Sequence, residues 1–181
     1  MENGNNSAAW TRQQSEAIQR MRDGGGSPGL TRADQIADKS GRAILEAMMS
    51  GELPYPPMND TMNMVLLEVD DGRAVFQGIP QLEHYNPLGT VHGGWFATLL
   101  DSALGCAVQS RLPAGRSYTT VELSLNIVRP ALQKTGPLRA VAKVIHMGGQ
   151  LATAEARIED ENGQLYAHAT TSCFIFKLQR S

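Results

Sequence analysis

One carboxylate, Asp101, sits in the middle of an otherwise apolar stretch at residues 92–110. Around it Trp95, Phe96, Leu99, Leu100, Ala103 and Leu104 fall on most sides of a helix, the pattern of a helix wrapped by the rest of its fold. A carboxylate is rarely buried unless it is paired or used. Its neighbours on one helical stripe are Gly94, Ala97, Thr98 and Gly105, all small. A glycine in a helix interior costs ~1 kcal/mol relative to alanine, so Gly105 implies that something approaches closely there. A groove of small residues around one acid suits a slender ligand. The competing reading is an acid satisfied by Ser102 or a backbone group, or salt-bridged where helices meet.

Just upstream lies NPLGTVHGG at 86–94, preceded by His84 and Tyr85. Gly89, Gly93 and Gly94 permit close backbone approach and positive φ. Gly93 and Gly94 also open the helix, where free N–H groups and the dipole favour a developing negative charge. An oxyanion needs such donors, preset and sheltered from water. Asn86 can add a side-chain donor. His92 either orients a substrate carbonyl or water, or caps the helix start. Nine residues separate His92 from Asp101, ~13 Å along a helix axis, too far for direct cooperation within one chain. A partner subunit would bring the two together.

The elements that must position these residues follow from periodicity. Residues 1–30 are polar and end in DGGGSPG at 23–29, a flexible break, with room for a short helix at 15–22 that would bury little. Helical spacing of Ile36, Ala43, Ile44, Ala47 and Met48 predicts a helix over 31–50, closed by Gly51. The prolines at 54, 56 and 57 then force an extended connection. Strands are predicted at 62–69 and 73–78 around the Asp70-Asp71-Gly72 turn, and at 118–128, 138–146, 151–159 and 164–177. Ala152, Ala154, Ala156 and Ile158 alternate with Thr153, Glu155, Arg157 and Glu159, so that strand has one wet face. Helix, hairpin, buried helix and four closely linked strands make an α+β chain with an antiparallel sheet curled around one helix; a doubly wound sheet would need more crossover helices.

The chain has 181 residues and a formal net charge of −2, enough for one domain with an appendage. No basic stretch could neutralise a row of phosphates, which argues against nucleic acid. No apolar run approaches the ~20 residues that span a bilayer, and the N-terminus lacks a signal-peptide pattern, so a cytoplasmic location is expected. Cys106 and Cys173 stand in apolar surroundings without metal-ligand spacing and read as free thiols rather than a disulfide or metal pair.

The segment 86–94, then Leu99-Leu100-Asp101, YTTVE at 118–122 and Arg129-Pro130, resembles the PaaI-like hotdog thioesterases of the 4-hydroxybenzoyl-CoA thioesterase superfamily. The similarity runs from about residue 51 to Phe176. It implies a five- or six-stranded antiparallel sheet around the long helix (the hotdog fold) over 51–181, with 1–50 as a flexible leader plus one helix. It implies homodimers, often paired into tetramers, with each site built from two subunits. The implied activity is hydrolysis of a small aromatic or short- to medium-chain acyl-CoA, with no metal or organic cofactor and no membrane partner. Asp101 matches the nucleophile or general base. Asn86 and Gly93 match the groups that hold the thioester carbonyl or attacking water, with His92 orienting them. Thr120 falls where some members carry Ser or Thr near the acid, and Gly94 belongs to the substrate-binding helix start. Gln150 stands where relatives often have an arginine for the CoA phosphates, which leaves Arg129 as a substitute contact or a surface ion-pair partner.

Two other readings compete. A hotdog hydratase would place its Asp and His a few residues apart on the loop entering the helix. A non-catalytic acyl-CoA-binding sensor or regulator would call for a DNA-binding module, and residues 1–50 are neither basic nor patterned as a helix-turn-helix.

Overall fold

The structure, a computed structural model, describes residues 3–178. Residues 1, 2 and 179–181, the ends of the expected segments 1–50 and 51–181, lie outside the described residues. Among the described residues five α-helices and six strands follow one another: α1 Asn3–Asp23, α2 Ala33–Ile36, α3 Gly41–Ser50, α4 Met58–Thr61, β1 Met64–Asp70, β2 Arg73–Gly78, α5 Gly93–Gln109, β3 Arg116–Ile127, β4 Leu138–Met147, β5 Leu151–Glu159 and β6 Leu165–Lys177. The strands form one sheet in the order β1-β2-β4-β5-β6-β3, antiparallel throughout. The sheet wraps α5, as expected from a helix that is apolar on most sides.

The inner face of the sheet explains how the helix fits. Ala140, Ala142, Ala152, Ala154 and Ala156 are buried against α5 and let the sheet backbone come close to it. Phe96, Leu99, Leu100 and Leu104 fill the space between, each exposed by 1% or less. Removing such a leucine to alanine costs ~2–5 kcal/mol, so α5 and the sheet hold each other in place. The hairpin between β1 and β2 turns at Gly72, φ +72°, whose N–H donates to Ser110 Oγ at 2.8 Å. That bond fixes the hairpin against the carboxyl end of α5.

Residues before β1 depart from the sequence expectation in two ways. The short helix expected at 15–22 is the longer α1, and it buries Gln14 and Met21 against the fold. Gln77, fully buried on β2, donates through Nε2 to the Trp10 carbonyl (2.8 Å) and to Gln14 Oε1 (3.1 Å). Arg139 lies over the Trp10 ring, 3.9 Å from its centroid. The polar composition of 1–30 concealed this, because the docked face of α1 mixes Gln14 and the Trp10 ring with a short apolar patch of Ala17, Ile18 and Met21. The single helix expected over 31–50 is split into α2 and α3 by a turn, and Ser40 caps the second by accepting from Ala43 N–H at 3.3 Å. Gly41 explains the break. A Cβ there would lie 1.8 Å from the Gln109 carbonyl oxygen, so only glycine lets α3 start against the end of α5.

Candidate active site

The segment that leads into α5 is a tight loop made by its own side chains. Asn86 N–H donates to the Thr90 carbonyl (2.8 Å), while Asn86 Oδ1 accepts from Leu88 N–H (2.8 Å) and Thr90 N–H (3.4 Å). Asn86 Nδ2 donates to Thr90 Oγ1 at 2.8 Å, which commits one of its two amide hydrogens and leaves the second for a ligand. Of the three glycines given conformational freedom by the sequence, Gly89 uses it, at φ +87°; Gly93 and Gly94 are helical. Their value is closeness: a Cβ on Gly93 would stand 3.3 Å from Ile127 Cδ1, and one on Gly94 would stand 3.0 Å from His92 Nδ1.

His92 is the helix cap. Its Nδ1 accepts from Gly94 N–H at 2.8 Å, and its own N–H donates to the His84 carbonyl at 2.8 Å. The ring therefore occupies one of the helix's free donors and holds the loop against the first turn. His84, to which the sequence assigned no role, anchors the same loop. It is buried, its Nδ1 accepts from Gln81 N–H at 3.0 Å, and its Nε2 lies 2.9 Å from the Thr61 carbonyl. An acceptor at one ring nitrogen and a carbonyl at the other require the neutral tautomer with hydrogen on Nε2.

Asp101 lies two turns further along α5, half-buried, and accepts from Thr120 Oγ1 at 2.9 Å. Neither Ser102 nor a cation takes the place of that partner; the acid's hydrogen bond comes from the sheet. Three contacts lay β3 antiparallel along the helix: Ile127 beside Gly93, Thr120 at Asp101 and Tyr118 at Gly105. A β-bulge makes this possible. The register between β3 and β6 shifts between Thr120 and Glu122, leaving Val121 as the extra residue, 60% exposed. The bulge lets Thr120 and Leu123 both face the helix and re-aims the hydroxyl at the acid. Nothing in the local composition of YTTVE signals a bulge.

Gly105 receives a different partner from the slender ligand its sequence position suggested. A Cβ there would fall 2.1 Å from Tyr118 Oη, so the glycine makes room for a side chain of the chain itself. A cleft lies elsewhere on the stripe, about 420 Å³ and bounded by Thr61, Glu83, Tyr85, His92, Gly94 and Thr98. Trp95, Phe96 and Met64 are core, exposed by 3% or less, and Trp95 Nε1–H is satisfied by the Met62 carbonyl at 3.0 Å.

Arg129 stacks on Tyr166, 5.7 Å from the ring centroid, and its Nε–H donates to the Leu165 carbonyl at 3.4 Å. Among the described residues it forms no ion pair, so its charge is available at the surface. Cys106 and Cys173 are free thiols; burial pushes the Cys106 thiol up to about 12, with the Asp101 charge adding to it. Among the described residues no three of His, Cys, Asp and Glu gather as a metal site would require, and no helix is long and apolar enough to cross a membrane.

This arrangement has known counterparts. Residues 88–167, which include the helix start, Asp101 and the β3 bulge, match the model of the thioesterase superfamily. A candidate esterase of Halobacterium salinarum is 40% identical over 72 residues, 39% of this chain; the match spans 46% of that relative's length. The 1,4-dihydroxy-2-naphthoyl-CoA hydrolase of Listeria monocytogenes is 25% identical over 108 residues, covering 60% of this chain and 86% of the hydrolase. The crystal structure of a phenylacetic acid degradation-related protein of Ralstonia eutropha superposes with a TM-score of 0.66 at 30% identity, over 72% of this chain and 98% of that one. With its six-stranded sheet wrapped on α5, the chain belongs to the PaaI-like hotdog thioesterases of the thioesterase superfamily, a family of thioester hydrolases.

Proposed function

We propose that the protein hydrolyses the thioester of a small aromatic or short- to medium-chain acyl-CoA, with Asp101 as nucleophile or general base. The observation that carries this reading is the 2.9 Å hydrogen bond from Thr120 to Asp101, which orients the one charged group of a buried helix toward its exposed stripe. As general base the carboxylate takes a proton from water while the water oxygen attacks the thioester carbon. The tetrahedral intermediate then collapses, breaking the C–S bond and releasing the fatty or aromatic acid and the CoA thiol. As nucleophile it attacks the thioester carbon, breaks the C–S bond with release of CoA thiolate, and forms a mixed anhydride that water cleaves to the free acid and the restored carboxylate.

The developing oxyanion is held by Gly93 N–H and the free amide hydrogen of Asn86, with His92 capping the helix start at Gly94, which borders the substrate cleft. Eight residues separate Gly93 from Asp101, ~12 Å along the axis, so the two halves of one site come from two subunits. The outer strand β3 supports that assembly. It has one strand neighbour, β6, and exposes Val121, Ile127 and the adjoining Val128 by 60, 42 and 56%. Pairing β3 of two copies would make one continuous sheet, as a homodimer or a pair of dimers, in which residues 51–181 carry the catalytic fold. The unpaired guanidinium of Arg129 is the proposed contact for the CoA phosphates.

A thiol-release assay across acetyl-, octanoyl- and benzoyl-CoA tests the reading. Turnover on at least one supports it. Binding of all three without thiol release would make the protein an acyl-CoA sensor instead.

A further inference from the structure

Tyr118 stands across the stripe of α5 that carries Asp101, one turn beyond the acid. Tyr118 and Thr120 occupy alternate positions on β3, opposite Ile175 and Cys173, so both side chains point at the helix. Thr120 meets Asp101. Tyr118 meets Gly105, where a Cβ would lie 2.1 Å from the hydroxyl oxygen and 2.8 Å from the ring carbon that bears it. Residues four apart on a helix are ~6 Å apart at Cβ, so the phenol closes the stripe about one small acyl group away from the carboxylate. Burial, and the neighbouring Cys106, Cys173 and Asp101, hold the Tyr118 hydroxyl well above its usual pKa, so it stays an uncharged wall.

Cys106, the residue after Gly105, is one wall of a cavity of about 50 Å³. The cavity is also bounded by Met21, Met48, Met49 and Phe76, residues of α1, α3 and β2. Three methionines around a void make a space that can reshape to follow an inserted chain. Tyr118 meets Gly105, the residue before this wall, and its hydroxyl stands among Asp101, Cys106 and Cys173.

We propose that Tyr118 sets the length of the acyl group: it ends the acyl site one turn beyond Asp101, and the methionine-lined cavity is where a longer chain extends once the ring is removed. The wild-type enzyme accordingly takes short acyl groups and excludes long ones. This inference rests on the thioesterase reading above.

The test is thiol release from acetyl-, butanoyl-, octanoyl- and dodecanoyl-CoA by the wild-type protein, Tyr118→Phe and Tyr118→Ala. The wild type should favour butanoyl over octanoyl in kcat/KM. Tyr118→Ala should raise the octanoyl-to-butanoyl ratio by roughly tenfold or more, since each methylene accommodated in an apolar pocket changes discrimination several-fold. Tyr118→Phe keeps the ring and should keep the wild-type ratio. Should Tyr118→Ala fail to fold, Tyr118→Val gives the same reading with less lost volume. A folded Ala or Val variant with an unchanged ratio, or a wild type that prefers dodecanoyl-CoA, overturns the proposal while leaving the thioesterase reading standing. A wild type inert on all four overturns the length proposal, and one inert on benzoyl-CoA as well overturns the thioesterase reading too.

Discussion

Thr120 donates to Asp101 across 2.9 Å and so ties the outermost strand of the sheet to the helix that the sheet encloses. The acid is therefore aimed by an element that sits at the free edge, and any assembly through that edge would act directly on the geometry of the acid. The bulge at Val121 is the device that turns the hydroxyl inward.

Replacing Thr120 with Val keeps the shape of the side chain and removes its donor. Hydrogen bonds to charged groups contribute ~1.5–3 kcal/mol, so kcat should fall on the order of tenfold or more with KM little changed. Thr120→Ser should recover most of the loss. Steady-state kinetics of the two variants separates a positioning role from mere packing, which Ser would not restore.

Residues 1–29 read as a flexible leader in the sequence, whereas the structure packs α1 on the fold. Met21 packs with Tyr55 and Val65, and Gln77 is satisfied by α1. Deleting 1–29 uncovers these groups and takes both acceptors from the Gln77 amide nitrogen, a loss of several kcal/mol. The melting temperature should drop on the order of 10 °C. Differential scanning calorimetry checks this; an unchanged melting temperature would mean that α1 adds no stability.

The central helix, the sheet and its alternation were legible because burial imposes its period on composition. The alternation of β5 is reproduced residue for residue, and strand ends move by two residues at most. Asp101 stood out because a charge on an apolar helix has few explanations. What the sequence did not carry was partner identity. Gly105 announced a close approach, but only the fold says that Tyr118, thirteen residues away, fills it. The bulge at Val121 and the docking of α1 through Gln14 and Trp10 are likewise tertiary facts. The bulge leaves no mark in composition, and the docked face of α1 mixes Trp10 and Gln14 with Ala17, Ile18 and Met21, too polar to read as a core stripe.

The Gly105–Tyr118 contact makes a non-additive pair. Gly105→Ala alone drives a methyl into the phenol and should destabilise by ~1–3 kcal/mol, with the displaced ring also slowing turnover. Combined with Tyr118→Ala the clash disappears, so the double variant should be more stable than the sum of the single losses implies. Urea unfolding of the four proteins closes this cycle; strict additivity would show that the two residues do not meet.

Shared sites allow complementation. Asn86→Ala and Asp101→Ala subunits should each be inactive alone, and mixing them should restore part of the activity, because some mixed dimers hold one complete site. Recovery is measured by thiol release after subunit exchange has been verified. No recovery would place the whole site within one chain.

The most direct measurement is thiol release by Asp101→Asn against the wild type on the acyl-CoA that the wild type turns over best. Asparagine preserves size and can still face Thr120, but it neither accepts a proton nor attacks a carbonyl. Turnover should fall ~10²–10⁴-fold while binding of the unhydrolysed thioester, followed by calorimetry, stays within a few-fold. Near-wild-type turnover in a correctly folded Asp101→Asn protein would remove the acid from the chemistry and contradict the account.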